Sequence, residues 1–279
     1  MKKLLEVRNL TKRYGDSCCN CLNVDAIDRE SNRCPFCGSV AACLNVSFDL
    51  YRDEVLGVVG ESGSGKSTLV RLLHFEEDPS VGEIFMNGNG ATDEKQNILA
   101  LSSFQKRQLR NRRMGIVYQN PHLGLRMGIS AGGNVAEKLL EAEWRHIGQI
   151  RDRAGDLLTK TEIPIARMDE PPRNFSGGMQ QRVQVAKALA NSPNILLLDE
   201  VTTGLDLSVQ AKVLDLIRQL QCELRLSVLV VSHDLGVIRL LCQRTMVMRY
   251  GCVVESGLTD QILEDPQHPY TQLLVSSQL

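Results

Sequence analysis

The hydrophobic pattern is broken into short blocks. Val55–Val59, Ile195–Leu198 and Val228–Val231 are apolar runs that give way at once to polar or glycine-rich sequence. Runs of this length predict strands buried on both faces of a mostly parallel sheet. Val46, Phe48 and Leu50 alternate with Ser47 and Asp49, which predicts a half-exposed antiparallel strand, and Leu5-Glu6-Val7-Arg8 reads the same way. These two strands are expected to pair as a hairpin with an outsized connection. From about Gln119 to Ala190 strand-like runs vanish and helical patterns replace them, as in Val135–Glu143 and Ile150–Leu158. This stretch, 119–190, is expected to form a helical lobe inserted in the sheet domain. Pro171-Pro172 marks a break before the next helix, and the polar window Asn87–Asn97 is expected to be a surface loop. The class is α/β.

Composition narrows the picture. The chain has 279 residues, 43% hydrophobic and 23% charged, with a formal net charge of -1. Bulk charge favours neither nucleic acid nor an anionic membrane. No apolar run approaches the ~18 residues of a membrane span, so direct membrane insertion is not expected. The N-terminus meets charge too soon for a signal peptide, and a cytoplasmic chain with reduced thiols is expected. Nine cysteines are many for that compartment. Lys106, Arg107, Arg110, Arg112 and Arg113 form a basic cluster, either a solvated helix face or a docking patch for an acidic partner.

The strongest chemical signal is Gly60-Glu-Ser62-Gly63-Ser64-Gly65-Lys66-Ser67-Thr68. It fits the phosphate-loop pattern, with a strand before it and a helix pattern after it. Glycines let the backbone wrap an anion and aim N–H groups at it. Lys66 suits the β- and γ-phosphates, and Ser67 suits a Mg²⁺ ion. Asp199 and Glu200 close the apolar run Ile195–Leu198, at the strand edge where parallel sheets bind ligands. Asp199 suits the Mg²⁺ shell, and Glu200 suits a base that polarises an attacking water. Ser176 resembles a helix N-cap, and Gly177 and Gly178 leave that helix terminus bare for an anion. One chain already holds one phosphate site, so this second one suggests a phosphate borrowed from another subunit.

In this order, the motifs resemble the nucleotide-binding subunits of ATP-binding cassette (ABC) proteins over nearly the whole of 1–279. The resemblance implies a P-loop NTPase fold with a RecA-like core, an antiparallel β lobe and a helical lobe. It implies an ATPase that closes on ATP and Mg²⁺ as a homodimer or with a related ABC subunit. Ser176-Gly177-Gly178 is similar to the family's signature motif, and Gln119 to its Q-loop glutamine, which acts on Mg²⁺ and water. His233 resembles its switch histidine, and Asp206, in Thr203-Gly204-Leu205-Asp206, its D-loop aspartate. Tyr14 resembles the aromatic residue that stacks on adenine. Two positions depart from the family: Val201 stands where proline is usual, and Gly204 where alanine is usual.

Two finer resemblances compete. Asp265-Pro-Gln-His-Pro-Tyr-Thr-Gln-Leu-Leu is similar to the tails of oligopeptide and dipeptide importer ATPases. Pro121–Asn134, Trp144–Gly148, Ile163–Arg167 and Val254–Asp260 resemble the ATP-binding subunit of the carbon–phosphorus lyase complex, which has the same tail. The lyase reading is preferred, with soluble lyase subunits as partners and the importer as alternative. Four glycines and one arginine in Gly124–Gly133 fit close backbone approach by a partner.

An insert at 15–43 stands outside the general family pattern. Cys18-x-x-Cys21 and Cys34-x-x-Cys37 are separated by 12 residues. Cys34-Pro-Phe-Cys37-Gly38 has the form of a zinc knuckle, so a structural four-cysteine Zn²⁺ site in a ribbon-like insert is expected. Free thiols are the plain alternative. Cys19 and Cys43 are spares or alternate ligands, and Cys222, Cys242 and Cys252 are expected to be small core residues.

Overall fold

The computed structural model describes residues 2–16, 18, 31–87 and 95–277. The chain forms two compact units, one of Met1–Ser102 with Val230–Leu279 and the other of Ser103–Leu229. In chain order the first unit begins with β1 (Lys3–Tyr14), β2 (Val40–Tyr51), β3 (Val55–Val59), α1 (Lys66–Leu73), β4 (Val81–Asn87) and β5 (Lys95–Asn97). The second holds α2 (Ser103–Arg113), β6 (Met114–Val117), α3 (Pro121–Gly124), α4 (Ala131–Glu141), α5 (Ile147–Lys160), α6 (Gly177–Ala188), β7 (Ile195–Asp199) and α7 (Leu207–Leu224). β8 (Ser227–Ser232) carries the chain back across the boundary. There follow α8 (Leu235–Leu241), β9 (Arg244–Arg249), β10 (Cys252–Leu258), α9 (Thr259–Glu264) and α10 (Pro269–Ser276).

In the first unit β2, β1, β4 and β5 form an antiparallel sheet in that order. β1 and β2 pair from Lys3↔Tyr51 to Tyr14↔Val40, so the expected hairpin forms around the long connection. Val46, Phe48 and Leu50 turn inward and Ser47 outward. The half-exposed pattern expected for β1 does not hold, because Leu4 to Val7 are all buried, and β4 flanks its other edge. Glu6 is tolerated there because Arg8 Nη2 reaches its carboxylate at 2.8 Å. The window Asn87–Asn97 is also not all loop, since Lys95–Asn97 pairs as β5 with the end of β4. β3 is buried throughout and runs parallel to β9, which pairs antiparallel with β10.

In the second unit β6 and β7 are parallel, in register from Met114↔Ile195 to Val117↔Leu198. α4 packs on α5 and α6 through an apolar core including Val135, Leu139, Leu157, Leu158, Val183 and Ala186. Side-chain caps start these helices. Ser130 Oγ accepts from the Gly133 N–H, His146 Nδ1 from Gln149 and Ser176 Oγ from Met179. The basic cluster lies on α2, where Arg107 lies 5.7 Å from the Phe104 ring centroid. Arg112 pairs with Glu143 at 2.7 Å and Arg113 donates to Asn194 Oδ1 at 3.2 Å.

Candidate functional site

Residues 60–65 form a tight loop between β3 and α1, and Lys66, Ser67 and Thr68 open the helix. The N-cap of α1 is Gly65, at φ +102°, with no side-chain cap, so the first-turn N–H groups stay open to an anion. A Cβ at Gly65 would stand 2.0 Å from the Ala42 carbonyl, and one at Gly60 2.1 Å from that of Met248. Strands β2 and β9 thus press on the loop so closely that only glycine fits. Lys66 is buried, and its Nζ donates to the carbonyls of Gly60 at 2.7 Å and Glu61 at 2.8 Å. The ammonium is therefore fixed at the loop itself. Ser62 and Gly63 are exposed, Ser64 is buried, and Ser67 and Thr68 are half-buried on the first turn of α1.

Tyr14 ends β1 with its ring partly exposed. Its hydroxyl donates to Glu77, and Lys12 Nζ lies 5.3 Å from the ring centroid. Burial and the Glu77 carboxylate push the phenol above its ordinary pKa, while Thr68 acts the other way. The ring thus sits beside the helix that begins at Lys66.

Two supports of this loop escaped the sequence reading. Tyr250 and Gly251, at φ 48° and 79°, form the two-residue turn between β9 and β10. The Gly251 N–H donates to the Ser64 carbonyl at 3.0 Å, and the Gly251 carbonyl accepts from the Leu44 N–H at 2.8 Å. The second support is Tyr270. It is buried, and its hydroxyl accepts from the Glu61 N–H at 3.1 Å. The Arg249 guanidinium stacks on the rings of Tyr250 and Tyr270, at 4.8 Å and 4.7 Å. The turn had a local signal in its glycine between two strands, but the hydrogen bond from 61 to 270 had none.

The second unit gathers the remaining motifs, except His233, which lies exposed between β8 and α8 in the first. Asp199 is the buried last residue of β7. Glu200 follows in the left-handed region at φ 48°, and Thr203 Oγ1 donates to its Oε2 at 3.4 Å. Val201 is 2% exposed, so at the departure from proline an apolar side chain anchors the turn. Gly204 has φ +78°, which an alanine would adopt only with strain, so the second departure changes the backbone available there. Asp206 is exposed at the start of α7 and makes no side-chain cap.

Ser176 and Gly177 are exposed at the start of α6, while Gly178 is buried against Val209. Gln119 has an exposed side chain, but its backbone is held from α6. Gln181 Nε2 donates to the Gln119 carbonyl at 3.1 Å, and Gln184 exchanges bonds with both the N–H (2.7 Å) and the carbonyl (3.1 Å) of Tyr118. Both glutamines are 1% exposed. Buried polar side chains on a helix face were the available sign.

The stretch after Gln119 corrects one expectation. Of its glycines, three serve contacts inside the lobe: a Cβ would strike Gln184 from Gly124, Met168 from Gly132 and Ile129 from Gly133. Only Gly128 faces open space among these four. Asn134, 1% exposed, ties the loop together. Its Oδ1 accepts from the Arg126 N–H, and its Nδ2 donates to the carbonyls of Arg126, Ile129 and Ser130.

In the insert, the sulfurs of Cys18, Cys34 and Cys37 lie within 4.8 Å of one another. Cys21 and Cys19 fall outside the described residues. Cys43 is no alternate ligand, because burial pushes its thiol up to about 12 and it donates to the Gly65 carbonyl. Cys242 is buried as expected, whereas Cys222 is exposed on α7 and Cys252 is half-buried. Among the described residues no helix is long and apolar enough to cross a membrane.

Comparison with known proteins agrees with this layout. The family model described as "ABC transporter" matches residues 43–203. The chain is 52% identical, over 84% of its length and 90% of the relative, to the putative phosphonates utilization ATP-binding protein PhnK of Escherichia coli. It is 40% identical, over 85% of its length and 69% of the relative, to the dipeptide transport ATP-binding protein DppF of the same organism. Among solved structures it resembles a dimeric post-hydrolysis state of the ATP-binding cassette MJ0796 bound to ADP and Pi. The TM-score is 0.75 at 27% identity, covering 92% of this chain and 99% of that one.

Proposed function

This chain belongs to the ATP-binding cassette family and is an ATPase, and from that premise we propose that its turnover drives phosphonate utilization as a subunit of a soluble carbon–phosphorus lyase complex in the cytoplasm. The observation that carries this reading is the 52% identity to PhnK over most of both chains, against 40% for DppF. The peptide-importer reading is second, and rests on that lower identity.

Residue roles follow from chemistry. The open N–H groups at the start of α1 and the Lys66 ammonium fit the β- and γ-phosphates of ATP. Ser67, Gln119 and Asp199 have the hard oxygen donors that Mg²⁺ takes. When bound, the ion supplies positive charge against the phosphate oxygens. Glu200 draws the proton of the attacking water and orients it toward the γ-phosphorus, and His233 steadies the charge that develops there. Tyr14 offers its ring to adenine. Ser176, Gly177, Gly178 and Asp206 are assigned to the γ-phosphate side of the site formed with a second ABC subunit, either another copy or a related chain.

The test is growth. Lys66→Ala and Glu200→Gln, expressed in place of the native chain, are expected to prevent growth on a phosphonate as sole phosphorus source. Growth on phosphate and uptake of dipeptides should remain normal. The native chain should copurify with soluble lyase subunits and not with a permease. Normal phosphonate growth in both variants, with expression verified and no second gene copy, overturns the reading.

A further inference from the structure

We propose that Cys18, Cys34 and Cys37 hold a zinc ion, and that this site tightens ATP binding by fixing the start of β2 beside the phosphate loop. The second half rests on the reading of residues 60–68 as the ATP site. The first half does not.

Sulfur geometry separates a metal site from a disulfide. Cys18 Sγ and Cys34 Sγ are 3.8 Å apart. A disulfide needs about 2.05 Å. Thiolates at roughly 2.3 Å from a tetrahedral zinc stand about 3.8 Å apart along each edge of the tetrahedron. The turn that presents the second pair is already formed. The Gly38 N–H donates to the Cys34 carbonyl at 2.9 Å with Gly38 at φ +74°, and the Cys34 N–H donates to the Ser39 carbonyl at 2.8 Å. Ser39 Oγ lies 3.2 Å from Cys37 Sγ, placed to donate to that sulfur once it is a thiolate. Cys34 is buried and Cys37 exposed, so the cluster has a dry side and a route of entry.

From the knuckle a continuous chain of contacts leads to the phosphate loop. The Ala41 N–H donates to the Asn32 carbonyl at 2.8 Å, and Arg33 bridges to Val40. Val40 pairs with Tyr14 on β1. One residue beyond Ala41, the Ala42 carbonyl abuts Gly65, and the Cys43 thiol donates to the Gly65 carbonyl. Leu44 then bonds Gly251, which bonds Ser64. Zinc would therefore clamp the root of the strand that forms one wall of the loop and aligns Tyr14. All of these residues lie in the first unit.

Full-length protein purified without added zinc should contain about one zinc per chain. Cobalt exchanged into the site should give the visible absorption of tetrahedral thiolate coordination. Chelator-stripped protein should bind a non-hydrolysable ATP analogue roughly five- to tenfold more weakly, the low end of coupling between linked sites, and recover when zinc is restored. By reciprocity the analogue should tighten zinc binding by the same factor, which a merely stabilising metal would not produce. Cys34→Ser with Cys37→Ser should lose the metal. Should that variant fail to fold, the strip-and-restore cycle still decides. Metal-free native protein with titratable thiols, or a Cys18–Cys34 disulfide, overturns the metal site. Zinc bound with analogue affinity unchanged on stripping overturns the coupling. Zinc-loaded protein that binds no ATP analogue at all overturns the reading of residues 60–68 instead, with the metal content standing.

Discussion

Lys66 and Glu200 differ in when their charge matters. Lys66 Nζ is fixed at the loop carbonyls and, in the role proposed for it, meets phosphate in both ground and transition states, so Lys66→Ala should abolish ATP binding. Glu200 is needed only when water attacks. Glu200→Gln should therefore bind ATP normally and hydrolyse it at least roughly a hundredfold more slowly, as loss of a general base predicts. Single-turnover phosphate release with a parallel binding assay separates the two. Wild-type hydrolysis by Glu200→Gln would remove it as the base. Tyr270 acts at one remove, through the Glu61 N–H. Tyr270→Phe keeps the ring stacked on Arg249 and deletes one hydrogen bond, worth about 1 kcal/mol. ATP affinity should fall about fivefold with kcat preserved. An unchanged Kd would reduce Tyr270 to a core residue. Lys66, Asp199 and Glu200 stand out in the sequence because their context is local: a glycine-rich loop, or acids at the end of an apolar run. Tyr270 does not, because its partner lies 209 residues away and nothing in His-Pro-Tyr-Thr names it.

At the scale of elements, periodicity identified β3, β7 and β8 from runs that are buried from end to end. It misjudged β1, because alternation reports exposure only where one face is free, and here Leu4 and Glu6 are buried as well as Leu5 and Val7. Glycine misled differently. Gly124, Gly132 and Gly133 signal close approach, but the approaching groups are Gln184, Met168 and Ile129 of the same unit. Sequence shows that something comes near a glycine without showing what. The loop after Gln119 is thereby braced from within its own unit, and Asn134 is its hub. Asn134→Ala should strand the Arg126 N–H and the Ile129 carbonyl, while the carbonyls of Arg126 and Ser130 keep the backbone N–H groups of residues 129 and 134, and cost roughly 1–3 kcal/mol. A urea titration reads the loss directly. Little change in midpoint would mean that the loop is held by the ion pairs of Glu137 with Arg126 and Lys187 instead. The buried Gln181 and Gln184 give α6 a second task besides its exposed N-terminus. They hold the backbone at Tyr118 and Gln119, so α6 and this segment are joined by direct hydrogen bonds.

At the scale of the whole molecule, the two helix starts proposed to bind phosphate belong to different compact units, α1 to the first and α6 to the second. α1 is preceded by a closed loop with a lysine, whereas α6 offers an exposed Ser176 and Gly177 with no lysine in the motif. The second start lacks the charge to hold a nucleotide alone, which suits it to complete a site begun on another chain. The cassette dimer structure among the relatives has that state of association. If this chain acts as a homodimer, each site needs Lys66 from one copy and Ser176 from the other. A Lys66→Ala chain and a Ser176→Arg chain should each be inactive alone, since every site in either homodimer carries one defect. In the mixed dimer both defects fall on the same site, and the other site has both motifs intact. Mixing equal amounts should therefore restore up to about a quarter of wild-type ATPase, because half of randomly formed dimers are mixed and each has one working site of two. Tagged chains and native mass measurement verify that mixed dimers form. Mixed dimers with no recovered ATPase would mean either that the sites are not shared or that both must fire together, and titrating wild-type chain into each mutant separates these. Obligate coupling makes every wild-type–mutant dimer inactive, whereas unshared sites leave the wild-type half working at its own rate.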